Sequence, residues 1–278
     1  MELLQLRYFC DAARTENFSE TAKKFSVPPS NISQSVHRLE KELGAELFER
    51  TANRIRLSHD GKIFFEGAKR ALECLENAKT AVQDTGEIRG EIKIGILTNR
   101  RVVTEVIGAF KKLYPKVNFH IQHTLERDAD GFDVIIGDKH TYPSGFTASK
   151  LLEEELMLAM HKDAQGKEKI SELRFITMQK GSSQYRYTLE TARKNGFAPN
   201  IVIETDDPFY VREYIEMGLG VAVVPVVSWK GLFSDKICLR SVGDIRRTTF
   251  LYVNRNRYES SAVRLFCRML LKKCKSEK

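Results

Sequence analysis

The hydrophobic period changes near Thr85-Gly86-Glu87-Ile88-Arg89-Gly90, and that change limits what the chain can fold into more than any other feature. Before it, apolar residues recur at the three- and four-residue spacings of amphipathic helices. After it, runs that fit strands alternate with runs that fit helices. Leu3, Leu6, Cys10 and Ala13 mark a first helix ending before Asn17, and Phe18, Ala22 and Phe25 mark a short second one. Ser26-Val27-Pro28-Pro29-Ser30 breaks the chain before Ile32, Val36, Leu39 and Leu43 repeat at four, three and four. Gly44 is placed to end that third helix as a left-handed cap. Leu47 to Ser58 then reads as two short strands around a Thr51-Ala52-Asn53 turn, so residues 1–60 describe a winged helix-turn-helix.

If Ile32, Val36, Leu39 and Leu43 face inward, the opposite face of the third helix carries Ser30, Ser33, Gln34, His37 and Lys41, with Asn31 and Arg38 at its edges. Short hydroxyls, amides and an imidazole suit a helix laid in the DNA major groove, where base edges require donors and acceptors rather than bulk. The same face would also suit an ordinary solvated helix. The wing arginines Arg50, Arg54 and Arg56 are placed to reach phosphates. Charge does not supply this reading. The chain carries a net +8, but residues 1–60 hold nine Lys/Arg against nine Asp/Glu and residues 61–90 five of each, which leaves 31 against 23 in residues 91–278.

These residues resemble the N-terminal domain of LysR-type transcriptional regulators. The resemblance rests on Leu6-Arg7-Tyr8-Phe9, Phe18-Ser19 with Ala22, Ile32-Ser33 through Leu39-Glu40 with Leu43-Gly44, and Leu47-Phe48-Glu49-Arg50 with Arg54, Leu57-Ser58 and Gly61. Where the family has Ser-Gln-Pro and an arginine at the start of the recognition helix, this chain has Pro28-Pro29-Ser30 and Gln34. Either Pro29 occupies the first helical turn or Ser30 caps a helix that starts later.

From Gly61 to Asp84 there is no proline, and Phe64, Ala68, Ala71, Leu75, Ala78 and Val82 alternate by four and three as a heptad seam. The resemblance implies that this helix, within a linker spanning residues 61–90, makes an antiparallel dimer, with a homodimer or homotetramer as the assembly; the seam could instead pack on the chain's own core. Residues 91–278 read as an α/β effector-binding domain. In it the resemblance implies the two-lobed fold of periplasmic solute-binding proteins, with lobe I at 91–160 and 258–278 and lobe II at 161–257. The crossings are expected near Met160-His161 and Tyr252 to Arg257, with the last helix, Ser260 to Lys275, packing back on lobe I.

In open α/β sheets ligands sit at strand C-termini against helix N-termini. Thr98-Asn99-Arg100 occupies such a place, a position the family also uses to hold effectors, and Thr124 ends the next strand. Ser182, Ser183, Thr205 and Asp206 are the counterparts across the cleft, with helix capping as their plainer role. The basic excess favours an anionic small-molecule effector. Only seven residues separate Thr124 from Phe132, where the family usually fits a helix of about two turns or more, so one wall of the cleft is expected to be short and the pocket small, open or lost.

Other classes fit less well. Five scattered cysteines and six histidines show no ligand spacing, so no metal, cofactor or disulfide framework is expected, and the cysteines are read as reduced thiols. No nucleotide-binding or nucleophile-elbow motif occurs, Glu153-Glu154-Glu155 reads as a solvated edge, and no catalytic residue is assigned. No apolar run nears the roughly 18 residues of a membrane span, and no export signal opens the chain. A cytoplasmic regulator that binds double-stranded DNA and responds to an effector is therefore expected, with a regulator whose pocket is degenerate, or a solute-binding protein, as the alternatives.

Overall fold

The computed structural model describes residues 1–51, 54–123, 129–139, 143–164 and 169–276, with backbone alone at Thr51 and Arg54. The chain forms two compact units, Met1–Thr85 and Gly86–Lys278.

In the first unit, α1 (Leu3–Thr15), α2 (Phe18–Phe25) and α3 (Pro29–Leu43) are followed by the antiparallel hairpin of β1 (Phe48–Thr51) and β2 (Arg54–Leu57), and by α4 (His59–Gln83). Asn17 caps α2 by accepting the N–H groups of Ser19 and Glu20. Pro28 is the N-cap of α3 and Pro29 its first residue, where a missing N–H costs nothing, so Pro29 and not a Ser30 cap opens the helix. Gly44 ends it at φ 66°. Phe9, Val36, Leu39, Leu47, Phe48 and Ala68 form the core.

One inward assignment is corrected: Leu43 is 39% exposed, and Glu40 is buried in its place. The physical reason is that the Glu40 carboxylate accepts the N–H groups of Leu47 and Phe48, so that at this end of α3 the acid, not the last leucine, meets the wing. Gly61 lets α4 seat against that same segment. A Cβ there would stand 2.0 Å from the Leu47 carbonyl oxygen.

The second unit contains β3 (Gly90–Ile96), α5 (Arg100–Leu113), β4 (Val117–Gln122), β5 (Val134–Asp138), β6 (Phe146–His161), β7 (Arg174–Met178), α6 (Ser183–Lys194), β8 (Asn200–Thr205), α7 (Pro208–Glu216), β9 (Ala222–Pro225), β10 (Ile237–Asn254) and α8 (Ser261–Ser276). One sheet runs β4-β3-β5-β10-β6-β9, and β7-β8 joins it through a bridge from Phe175 to Val221. The long antiparallel strands β6 and β10 run through both lobes. Thr249 to Val253 pairs with β5 of lobe I, whereas Leu156 to Ala159 pairs with β9 of lobe II. The passage between lobes thus lies near Glu153–Glu155 and Arg246–Thr248, and not at Met160-His161 and Tyr252 to Arg257. The ladder of β6 and β10 shifts register beside the crossing, between Ser241 and Arg246, where Gly243 stands at φ 94°, and then pairs again from Arg246 onward.

In lobe I, α5 and α8 cover one face of the sheet, with Ile92, Ile94, Val106, Phe110, Phe266 and Leu270 at the centre. The opposite face is closed by Phe132, Ile135, Phe146 and Tyr252. Among the described residues, the only helical turn between β4 and β5 is the single 3-10 turn Ala129–Gly131. Lobe II is a sheet covered by α6 on one side and α7 on the other, through Tyr187 and through Val211 and Ile215. No helix among the described residues is long and apolar enough to cross a membrane.

Candidate functional site

On α3, Ser30, Asn31, Gln34, His37 and Arg38 are exposed, and Ser33 is half-buried. The structure therefore brings the expected polar face together. Arg50 is differently engaged: its guanidinium is 2.9 Å from Glu40 Oε2 and stands over the Phe18 ring. Arg54's side chain lies outside the described residues, as do Ala52 and Asn53 of the turn. The seam of α4 divides. Phe64 and Ala68 pack into the first unit's core, as the plainer reading allowed, whereas Ala71, Leu75, Ala78 and Val82 are exposed, Val82 at 83%.

In the second unit a cleft of about 780 Å³ opens between the lobes. Three helix N-termini border it, those of α5, α6 and α7, and they differ in how they are satisfied. Ser182 Oγ accepts the Tyr185 N–H at 3.1 Å, and Asp207 Oδ1 accepts the Phe209 N–H at 2.8 Å. The side chain of the residue that begins α5 makes no cap hydrogen bond. Its N-cap, Asn99, adopts the left-handed region at φ 59° and turns its amide elsewhere, donating to Thr249 Oγ1 at 2.9 Å and accepting from the Ser228 hydroxyl. Beside this end the Thr98 hydroxyl, buried and bordering the cleft, has no hydrogen-bond partner among the described residues.

Arg100 and Lys180 also border the cleft, and neither forms an ion pair among the described residues. Ser183 Oγ accepts from Arg186, so its hydroxyl belongs to a network spanning the lobes: Arg186 of α6 reaches the buried Asp138 of β5 at 2.9 Å. Asp206 is exposed on the rim. Thr205 does not border the cleft, since its Oγ1 faces the Asp207 N–H at 3.4 Å. Thr124 lies outside the described residues.

Residues 3–62 match the family model of the bacterial regulatory helix-turn-helix protein, lysR family, and residues 85–275 match the LysR substrate binding domain. The chain belongs to the LysR family. It is a DNA-binding transcriptional regulator of the LysR type with an effector-binding domain. It is 31% identical over 244 residues to the transcriptional dual regulator GltC of Bacillus subtilis, covering 81% of each chain. The HTH-type transcriptional regulator XapR of Escherichia coli is 24% identical, over 88% of this chain and 90% of its own. A full-length OxyR variant from Pseudomonas aeruginosa shares the fold, with a TM-score of 0.70 and 20% identity, covering 99% of this chain and 95% of that one. Full-length CbnR in complex with its target DNA has a TM-score of 0.65 and 19% identity over the whole of both chains.

Sequence reasoning missed the best-connected residues of this LysR-type regulator. Glu154, expected on a solvated edge, is 2% exposed. It pairs across the β6–β10 ladder with Arg247, whose Nη2 is 2.6 Å from Glu154 Oε1. The Ser228 N–H donates to Glu154 Oε2 at 2.7 Å, and the Ser228 hydroxyl stands 2.6 Å from Oε1 and against Asn99 Oδ1. Asn99 and Thr249 belong to lobe I, and Ser228 follows β9 of lobe II, so this buried network joins the lobes at the floor of the cleft. No spacing in the sequence announces it, because its members come together only when β6 and β10 pair. No disulfide joins any of the five cysteines. Burial pushes the Cys10 thiol up to about 11 and that of Cys267 up to about 12, which leaves both in the protonated, unreactive form.

Proposed function

We propose that this LysR-type regulator reads double-stranded DNA with the exposed face of α3, assembles as a homo-oligomer through the exposed seam of α4, and is switched by a small anion bound at the start of α5. It acts in the cytoplasm, uses no cofactor and catalyses no reaction. The observation that carries the effector reading is the contrast among the three helix ends. Two are closed by their own caps, while the N-cap side chain of α5 does not cap its helix, and beside that end stand a buried hydroxyl and two cations that have no partner among the described residues. The N–H groups of a helix N-terminus and the helix dipole favour negative charge at that point. The cleft volume falls within the roughly 300–1,000 Å³ usual for small-molecule sites. Asp207, an acid bordering the cleft, is engaged in capping α7.

Isothermal calorimetry and thermal shift of the full-length protein against carboxylates, phosphates, amino acids and neutral analogues test this. An anion should bind, and Thr98→Val and Arg100→Ala should each weaken it about ten- to a hundredfold, as expected for lost hydrogen bonds to a charged group. Binding only of neutral or cationic compounds, indifferent to both substitutions, refutes the reading.

A further inference from the structure

The excess positive charge of this regulator is absent from the unit that reads DNA. Residues 1–90 carry fourteen cations and fourteen acids, and residues 91–278 carry 31 and 23. Helix α8 alone holds five cations, Arg264, Arg268, Lys272, Lys273 and Lys275, and no acid at all. Lys273 turns to Glu105 of α5 at 3.1 Å. The other four are exposed, and none forms an ion pair among the described residues; Arg264 donates only to the Glu259 carbonyl. At about 100° per residue, their spacings of four, four and three place them within an arc of about 80° along roughly 16 Å of helix.

The helix dipole accounts for part of this pattern, because cations are favoured in a last turn. It does not account for Arg264 and Arg268, which lie in the first half of α8. Three successive like-charged pairs at i,i+4 and i,i+3 spacing also oppose helix formation, and a bound polyanion would relieve that repulsion. Each strand of a duplex carries a phosphate for about every 3.4 Å of the duplex axis, so a basic face roughly 16 Å long can meet more than one of them.

We propose that the exposed face of α8 is an auxiliary DNA-binding surface that engages the phosphate backbone of duplex flanking the operator. It supplies the sequence-independent, salt-sensitive part of DNA affinity that a neutral helix-turn-helix unit lacks. This assignment is independent of the effector site.

The test uses full-length protein and an operator that the protein itself selects from a random-sequence pool. That operator is prepared as the shortest duplex still bound specifically and again with about 30 bp of random flank on each side. If two phosphates are neutralised, the plot of log affinity against log salt should be steeper by about 1.8 for the wild type than for R264Q/R268Q/K272Q/K275Q on the long duplex. Between 50 and 200 mM salt that difference is about twelvefold in affinity. On the short duplex the two proteins should agree, and R264K/R268K should behave as wild type on both. R268Q/K272Q, with half the change, serves if the fourfold variant unfolds at a lower temperature. Equal slopes on the long duplex overturn the proposal, as does an equal loss on both duplexes. Lost transcription with unchanged slopes also overturns it and assigns the face to an acidic protein.

Discussion

Replacing Glu154 with alanine should destabilise the effector unit more than most single changes, and the reason is electrostatic. Glu154 and Arg247 face each other across β6 and β10, with exposures of 2% and 7%. Removing the carboxylate leaves a guanidinium buried without its counter-charge and strips the Ser228 N–H of its acceptor. Breaking a buried pair in this way costs about 3–5 kcal/mol. Arg247 borders the cleft, where water can reach it, so the lower end, about 3 kcal/mol, is expected. With an m-value of about 2.5 kcal/mol per molar urea, the midpoint should fall by about 1.2 M. Trp229, the single tryptophan, adjoins Ser228, so its fluorescence follows this unit. The double change Glu154→Leu with Arg247→Met removes both charges and should recover most of the loss, because apolar replacements of buried pairs are often neutral or better. A single variant unfolding within about 0.3 M urea of wild type, or a double variant no better than the single, would show the electrostatic account to be wrong.

Glu40→Ala should cost about 2–3 kcal/mol by leaving the Leu47 and Phe48 amides without an acceptor, measured on the unfolding of the first unit by circular dichroism. Arg50→Ala should cost less, since that guanidinium is 43% exposed. Gln34→Ala should weaken discrimination between selected and random DNA by about 1–3 kcal/mol in gel-shift titrations, and an equal loss on both would remove it from the residues that read bases. Leu75→Glu places a charge in the exposed seam of α4 and should shift the protein toward monomer by light scattering; an unchanged mass would move the interface elsewhere.

The first unit was legible in the sequence because its contacts are local. The periods of Leu6 to Ala13 and Ile32 to Leu39, the Pro28-Pro29 break and Gly44 each act within one or two helical turns. What went wrong there, Leu43 against Glu40, depended on a carboxylate reaching backbone groups seven and eight residues away. In the second unit the alternation of strands and helices, and the capping role open to Ser182, could be read for the same reason. The floor of the cleft could not. Asn99 meets Ser228 across 129 residues and Thr249 across 150, and Glu154 meets Arg247 across 93. A run of three glutamates looks solvated to any local rule, since burying a carboxylate is costly unless a partner is waiting. Only the pairing of two long crossing strands brings Arg247 to Glu154. Neighbouring residues along the chain were enough to specify the helices of the first unit and the alternation of strands and helices in the second. Which charges are buried and which N-cap side chain turns away from its helix followed from long-range packing, because those outcomes depend on partners that folding alone brings within reach.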